Sequence, residues 1–324
     1  MHGTTRTVTR LHILVISLLL CGLKSVSGED RSLLERLGFN AGDRLLIING
    51  DDAGMCHAAN VATIECMEQG FMRSATIMVP CPWFLEMAEY ARAHPERDFG
   101  VHLTHTAEWK RYRWAPLAPR DQVRGLMDPQ GYMWGGVAQV YSNATPHEAL
   151  IEGRAQIKRA LGSGIDVTHI DSHMGTLQLN LAYVKSYLQL AVEFDLPVRM
   201  ASQKTLAGMG YPELRAEFAA KGVIFPDHFI YEELKEEKND VRKFWRSIVR
   251  NLEPGVTELY IHAGLPTEEL RAITGSWSIR AQEHEVFARD PEMRNIVADQ
   301  RIHLISYRPL RDLQRSVRNG AKNR

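Results

Sequence analysis

Short, continuously apolar runs alternate with longer amphipathic stretches from Arg44 almost to the C-terminus, the pattern of buried strands separated by helices. Leu45-Leu46-Ile47-Ile48 reads as a strand and residues 58–69 as the helix after it, with Gly70 in the position just past a helix end that glycine favours. Residues 75–79 predict a second strand, 82–94 a second helix with Pro82 in its first turn, and 99–103 a third strand. An irregular stretch over 104–145 follows, too rich in aromatic residues for disorder and too long to be a plain connection. The alternation then resumes. It gives helix 146–161, with Thr145 and Glu148 spaced as a capping box, strand 167–170, helix 181–194 and strand 198–200. Helix 231–252, strand 258–262, helix 279–289 and strand 302–306 complete it. Repeated strand–helix units imply a parallel sheet covered by helices. One uninterrupted run of them, with no linker, predicts a single-domain α/β fold whose sheet forms a closed or nearly closed barrel.

The polar residues that end these runs fall where barrel enzymes keep their chemistry, just beyond the C-terminal ends of strands. Ile47-Ile48-Asn49 runs into Gly50-Asp51-Asp52, and Gly100-Val101 into His102-Leu103-Thr104-His105. Thr168 leads into His169-Ile170-Asp171-Ser172-His173, and Leu259-Tyr260-Ile261 into His262-Ala263-Gly264. Two adjacent carboxylates at a buried strand end repel each other unless a cation sits beside them. One aspartate with two imidazoles suits Zn²⁺ or a similar transition-metal ion, and three protein ligands leave positions for water and substrate, the mark of a catalytic site. The second aspartate can then take the proton of a water that the cation has acidified. Each segment also has a plainer reading: Asp-Asp as a helix N-cap pair, His102 as a core histidine, and the third segment as a surface polar cluster. His169, Asp171 and His173 alternate along an extended segment and so fall on one side of it. In one strand–helix framework the three segments together favour a metal site.

Composition adds little until the N-terminus. Of 324 residues, 44% are apolar and 24% charged, with no formal net charge, so nothing points to electrostatic binding of nucleic acid or an anionic membrane. Arg6 and Arg10 precede the apolar run 13–23, and Ser25, Ser27 and Gly28 follow it, the order of a secretory signal peptide over residues 1–28. The apolar run is shorter than the roughly 20 residues that a spanning helix needs. Cleavage near Ser27 or Gly28 removes Arg6, Arg10 and Lys24 while all 39 acids stay, which leaves a net charge of −3. The expectation is a secreted or periplasmic chain with no stable membrane span. Cys56, Cys66 and Cys81 remain, without CxxC spacing; an odd number allows at most one internal disulfide, and they read as small buried hydrophobes.

In this order, Leu45-Leu46-Ile47-Ile48-Asn49-Gly50-Asp51-Asp52-Ala53-Gly54, Gly100-Val101-His102-Leu103-Thr104, Thr168-His169-Ile170-Asp171-Ser172-His173 and Thr257-Glu258-Leu259-Tyr260-Ile261-His262 resemble the YdjC-like carbohydrate deacetylases. That family includes chitooligosaccharide deacetylases and a hopanoid-lipid deacetylase. Ser306-Tyr307-Arg308 looks like the family's closing strand, and the likeness covers about residues 44–310, within a domain expected over 40–316. The resemblance implies a distorted (β/α) barrel of the glycoside hydrolase/deacetylase type. It implies Asp52, His102 and His173 as ligands of a divalent metal (Zn, Mg, Mn, Co or Ni, not distinguished), Asp51 as general base and His262 as general acid. Asp171 and His169 would orient the ligands. Gly50 and Ala53 stand where the family's usual opening, Asn-Ala-Asp-Asp-Phe-Gly, has alanine and phenylalanine, changes expected to line the pocket.

The function expected is removal of acetyl groups from N-acetylated sugars or oligosaccharides. The alternatives are a metal-dependent hydrolase of another amide or ester, and a secreted, non-catalytic carbohydrate-binding protein. The partner expected is an acetylated carbohydrate, and a homodimer stays open. Arg280 and Glu283, one helical turn apart, read as an exposed ion pair in preference to a pocket pair. Trp109, Trp114 and Trp134 suit either stacking on sugar rings or packing the loop onto the barrel.

Overall fold

A computed structural model of the chain describes residues 31–231 and 240–322. The fold described is that of the unit Ser32–Arg324. The signal-peptide expectation over 1–28 lies outside the described residues, as does part of the expected helix 231–252.

The longer apolar runs are strands buried on both faces, which is why they read as continuous, whereas the short strands His228–Ile230 and Ile302–Leu304 are partly exposed. Among the described residues there are seven strands, β1 (Arg44–Ala53), β2 (Ser74–Ile77), β3 (Phe99–Leu103), β4 (Val167–Ser172), β5 (His228–Ile230), β6 (Gly255–Ile261) and β7 (Ile302–Leu304). Along β1, Leu46 and Ile48 pack with Ala62, Cys66, Leu259 and Ile261, whereas Leu45 and Ile47 pack with Val256, Tyr307 and Leu310. One set lies under the covering helices and the other fills the space the sheet encloses, as strand alternation requires.

All strand pairs are parallel, in the order β4-β3-β2-β1-β6-β5. β1 is the axis of the sheet. Residues 44–50 pair with β6 on one edge; on the other, Arg44–Leu46 pair with β7 and Asn49 onward with β2. Beyond β4, the Arg199 amide donates to Ile170 and the Val198 amide to Ile224, so the segment expected as strand 198–200 is a single bridge on that edge. The result is the expected single-domain α/β fold with a curled parallel sheet, a distorted (β/α) barrel.

The helix Pro146–Gly162 starts on the predicted capping box: Thr145 Oγ accepts from the Glu148 amide and Glu148 accepts from the Thr145 amide at 2.8 Å. The same Glu148 carboxylate takes the Gly125 amide, and buried Glu152 on that helix takes the amides of Leu117 and Ala118. The irregular stretch is therefore tied along a helix, and it contains a short helix, Val137–Asn143, that its composition concealed. Among the described residues the three cysteines are free and buried, and no helix is long and apolar enough to cross a membrane.

Several local expectations need correction. Pro82 precedes the helix Phe84–Ala93, with Trp83 as its N-cap, so it is not in the first turn. The helix expected at 231–252 is described only over Val241–Arg250. Tyr307 lies beyond the last strand, just before the helix Arg308–Lys322. Gly70 follows the helix His57–Glu68 without left-handed backbone; a Cβ there would overlap the Phe287 carbonyl and the Ala288 backbone, so glycine serves close approach.

Buried contacts lead to two stability predictions. Gly70→Ala should cost about 3 kcal/mol, because backbone on both sides must move, and urea unfolding at constant slope would measure it. His105 is fully buried with Nε2 donating to the Ala149 carbonyl, and burial pushes its pKa down to about 4. Its neutral form is favoured by folding, so the contribution is intact above pH ~6.5 and is lost as pH falls from there to about 4, by about 3 kcal/mol. In His105→Gln the unfolding free energy should depend less steeply on pH across that window.

Candidate active site

Consecutive side chains on a strand point to opposite faces, so Asp51 and Asp52 would be split between the barrel interior and its helical coat. Two features bring them together. The register of β1 against β2 shifts between Gly50 and Ala53, and Asp52 adopts φ 62°. A bulge with a left-handed non-glycine residue costs of the order of 1 kcal/mol and re-aims the side chain. His173 is likewise swung out of line: β4 ends at Ser172, His173 opens a short 3₁₀ turn, and Met174 takes φ 51°.

These distortions place three donor atoms in a nearly equilateral triangle. Asp52 Oδ1 lies 3.3 Å from His102 Nε2 and 3.2 Å from His173 Nδ1, and the two nitrogens are 3.2 Å apart. Such an edge suits donors about 2 Å from one central cation in tetrahedral geometry. Asp52 Oδ1 is buried without a hydrogen-bond partner, an expensive arrangement unless a cation satisfies it. Both imidazoles have their far nitrogen on a carboxylate: His102 Nδ1 is 2.7 Å from Asp171, and His173 Nε2 is 3.0 Å from Glu108. With those nitrogens donating, the lone pairs of the other two converge on Asp52. The residues present therefore fit a divalent metal.

The electrostatics depend on two buried arginines. Arg199 makes a two-pronged contact with Asp51, 2.7 Å to each oxygen, and also reaches Asp171 at 3.0 Å and Glu258 at 2.9 Å. Arg280 donates to Asp52 Oδ2 at 2.7 Å. Burial is the largest single influence and would raise both aspartates, but Arg199 with His102 and His262 outweighs it for Asp51, and Arg280 with His262, His102 and His173 outweighs it for Asp52, so both carboxyls are held below their ordinary range. Burial likewise works against a charged His102 and His173. Asp171 and Asp51 hold His102 well above its usual value all the same, and Glu108 and Asp52 raise His173 to about 9. Protons and a cation thus compete for the same nitrogens. His262, with 32% of its side chain exposed, lies 3.9 Å from Asp52; burial and Arg280 outweigh Asp52 and hold it below its ordinary value.

Asp51, Asp52, His102, His173 and His262 are thus gathered at one barrel mouth. His169 is not with them: it stacks on Tyr307, ring centroids 3.8 Å apart, deeper in the barrel, so of the expected orienting pair only Asp171 touches a proposed ligand. Arg280 and Glu283 are buried, and they do not form the exposed ion pair expected. Glu283 instead accepts from Trp245 and from the His262 amide, and burial pushes its pKa up to about 7. Gly50 and Ala53 do not line the pocket; a Cβ on Gly50 would meet Met72, and Ala53 is in the helix-covered core. Trp109 and Trp114 are buried against Met55, Cys56 and Cys81, while Trp134 donates to the Gly125 carbonyl, so these rings pack the loop. Arg199 and Glu108 were missed: one lies in an unremarkable run, Val198-Arg199-Met200, and the other inside the irregular stretch, with no spacing that marks either.

A curled α/β barrel with its charged centre at the C-terminal strand ends has the layout of a barrel hydrolase. The model of the YdjC-like protein family matches residues 45–299, and the chain belongs to that family. A carbohydrate deacetylase of Thermus thermophilus is 30% identical, over 86% of this chain and 98% of the relative. One of Thermoanaerobacter pseudethanolicus is 28% identical, over 82% and 98%. A crystal structure from Enterococcus faecalis, described as a cellobiose-phosphate cleavage protein, superposes with a TM-score of 0.72 at 28% identity, over 83% of this chain and 99% of that one.

Removing Arg199 leaves three carboxylates buried without their cation. Arg199→Met should therefore destabilise the fold by about 3–5 kcal/mol, read by chemical denaturation, with the loss shrinking at low pH as the acids protonate.

Proposed function

We propose that this protein is a divalent-metal-dependent carbohydrate deacetylase that hydrolyses the acetamide of an N-acetylated sugar or oligosaccharide. Supporting the chemistry, its relatives are named carbohydrate deacetylases. The observation that carries the metal is the triangle of Asp52 Oδ1, His102 Nε2 and His173 Nδ1, with the aspartate oxygen otherwise unpartnered. We also place it outside the cytoplasm, as a secreted or periplasmic protein, on the N-terminal pattern of residues 6–28.

Asp52, His102 and His173 hold the metal in this reading. A divalent cation supplies Lewis acidity, which polarises an acyl carbonyl and acidifies water. Asp51 is the base. Arg199 keeps it ionised and in place, and lowers its basicity, so it takes a proton only from a water made acidic at the site. His262 faces the same centre from just beyond the end of β6, and protonates the departing amine, which leaves poorly as an anion. Because His262 is neutral in the free protein at pH 7, its proton arrives during the cycle, from the water that Asp51 deprotonates or from solvent. Buried Trp109, beside His173 and Arg280, helps to keep bulk water from the centre.

The deciding experiment is acetate release from a panel of N-acetylated oligosaccharides by the mature chain, after EDTA and then with Zn²⁺, Mn²⁺, Co²⁺, Ni²⁺ or Mg²⁺ restored. Release should vanish with EDTA and return with metal, and Asp51→Asn and His173→Ala should each lower it by at least about 10²-fold. No release from any sugar, with one equivalent of metal bound, would overturn the substrate and keep the metal.

A further inference from the structure

His102 and His173 are held differently. His102 sits on β3, inside the sheet, and its Nδ1 is fixed by Asp171 on the neighbouring strand. His173 has left the sheet and sits at the start of a short turn, followed by a left-handed methionine. Its Nε2 faces the carboxylate of Glu108, 3.0 and 3.1 Å from the two oxygens, and Glu108 belongs to neither strand nor helix.

Glu108 is nonetheless fixed in place. Before it, the Ala107 amide donates to the Trp134 carbonyl at 2.8 Å. After it, Trp109 packs with Trp114, Met55 and Cys56, and Tyr112 hydrogen-bonds the Met55 carbonyl just beyond β1. The carboxylate is therefore delivered to His173 from a segment clamped to the exit of the strand that bears Asp51 and Asp52. An acceptor at Nε2 puts the proton there, turns the Nδ1 lone pair toward Asp52 and His102, and makes that nitrogen a stronger donor.

We propose that Glu108 is a positioning residue that fixes the tautomer and orientation of His173 and so sets the metal affinity of the site. The proposal rests on the metal reading above. It gives the irregular segment a role in building the metal centre, in addition to walling it.

The experiment is competition for Zn²⁺ between a chromophoric chelator and the whole mature chain, which needs no substrate. It compares wild type, Glu108→Ala, Glu108→Gln and Arg113→Met. The last variant breaks the 2.9 Å pair between Arg113 and Asp128 in the same segment without touching the site. Glu108→Ala should bind roughly 10- to 100-fold more weakly. Glu108→Gln should lose less, since its amide oxygen still accepts from Nε2 without the charge, and Arg113→Met should stay within about twofold of wild type. Thermal unfolding of each metal-free variant separates weak binding from failure to fold, and Glu108→Gln keeps the test open if Glu108→Ala does not fold. Glu108→Ala binding within twofold of wild type, or Arg113→Met losing as much as Glu108→Ala, overturns the proposal and leaves the metal site standing. Wild type binding no divalent ion at all overturns the metal reading itself, and this proposal with it.

Discussion

Asp51 and Asp52 are adjacent, ionised and almost wholly buried, and the surroundings of the site are arranged around the difficulty of keeping them so. Charge taken out of water must be matched locally, and removing one partner exposes the full penalty of the other. Two arginines provide the match. Arg199, from the segment that bridges to the edge of β4, serves Asp51, and Arg280, from the helix Trp277–Arg289, serves Asp52. The supply of positive charge is short. Arg199 is shared among Asp51, Asp171 and Glu258, and despite that arginine and a hydrogen bond from Tyr307, burial pushes Glu258 up to about 7. A polar interior that is short of cations, at the mouth of the barrel, adds an electrostatic reason for the divalent ion we propose.

The same constraint explains the position of β1. Only a strand paired along both edges can hold two carboxylates rigidly at its end, and β1 is flanked by β6, β7 and β2. Its regular pairing with β6 runs as far as Gly50, and the irregularity begins where the chemistry does. At this strand end the left-handed backbone falls on Asp52, whose side chain is re-aimed.

Much of this was legible in the sequence, because it rests on periodicity and local spacing. The apolar runs of β1, β3, β4 and β6, the capping box at Thr145 and Glu148, and the placing of polar segments just beyond strand ends were readable from residue order, whereas the set Asp52, His102 and His173 came from the family resemblance. The residues that escaped notice act across long separations. Arg199 meets Asp51 from 148 positions away, and Glu108 meets His173 from 65. No pattern within a window reports such contacts. The apparent one-sidedness of His169, Asp171 and His173 misled for a related reason: alternation fixes the face of a strand but not the depth at which a side chain lies, and His169 sits a layer below. Arg280 and Glu283 looked like solvent-facing helix neighbours because spacing says nothing of which face of a helix the barrel covers.

Glu148 and Glu152 do more than end a helix and fill its buried face. By taking the amides of Leu117, Ala118 and Gly125, they make a long stretch without regular structure part of the cooperative unit that contains the helix Pro146–Gly162. Segments of this kind are ordinarily where proteases nick a folded chain, since cleavage needs a run of free, extendable backbone. Here that run is not free, and opening it means detaching its amides from Glu148 and from buried Glu152 on the helix. Cutting within the stretch is thereby coupled to opening of the larger unit, an arrangement that would suit the peptidase-rich surroundings of the extracytoplasmic location we propose.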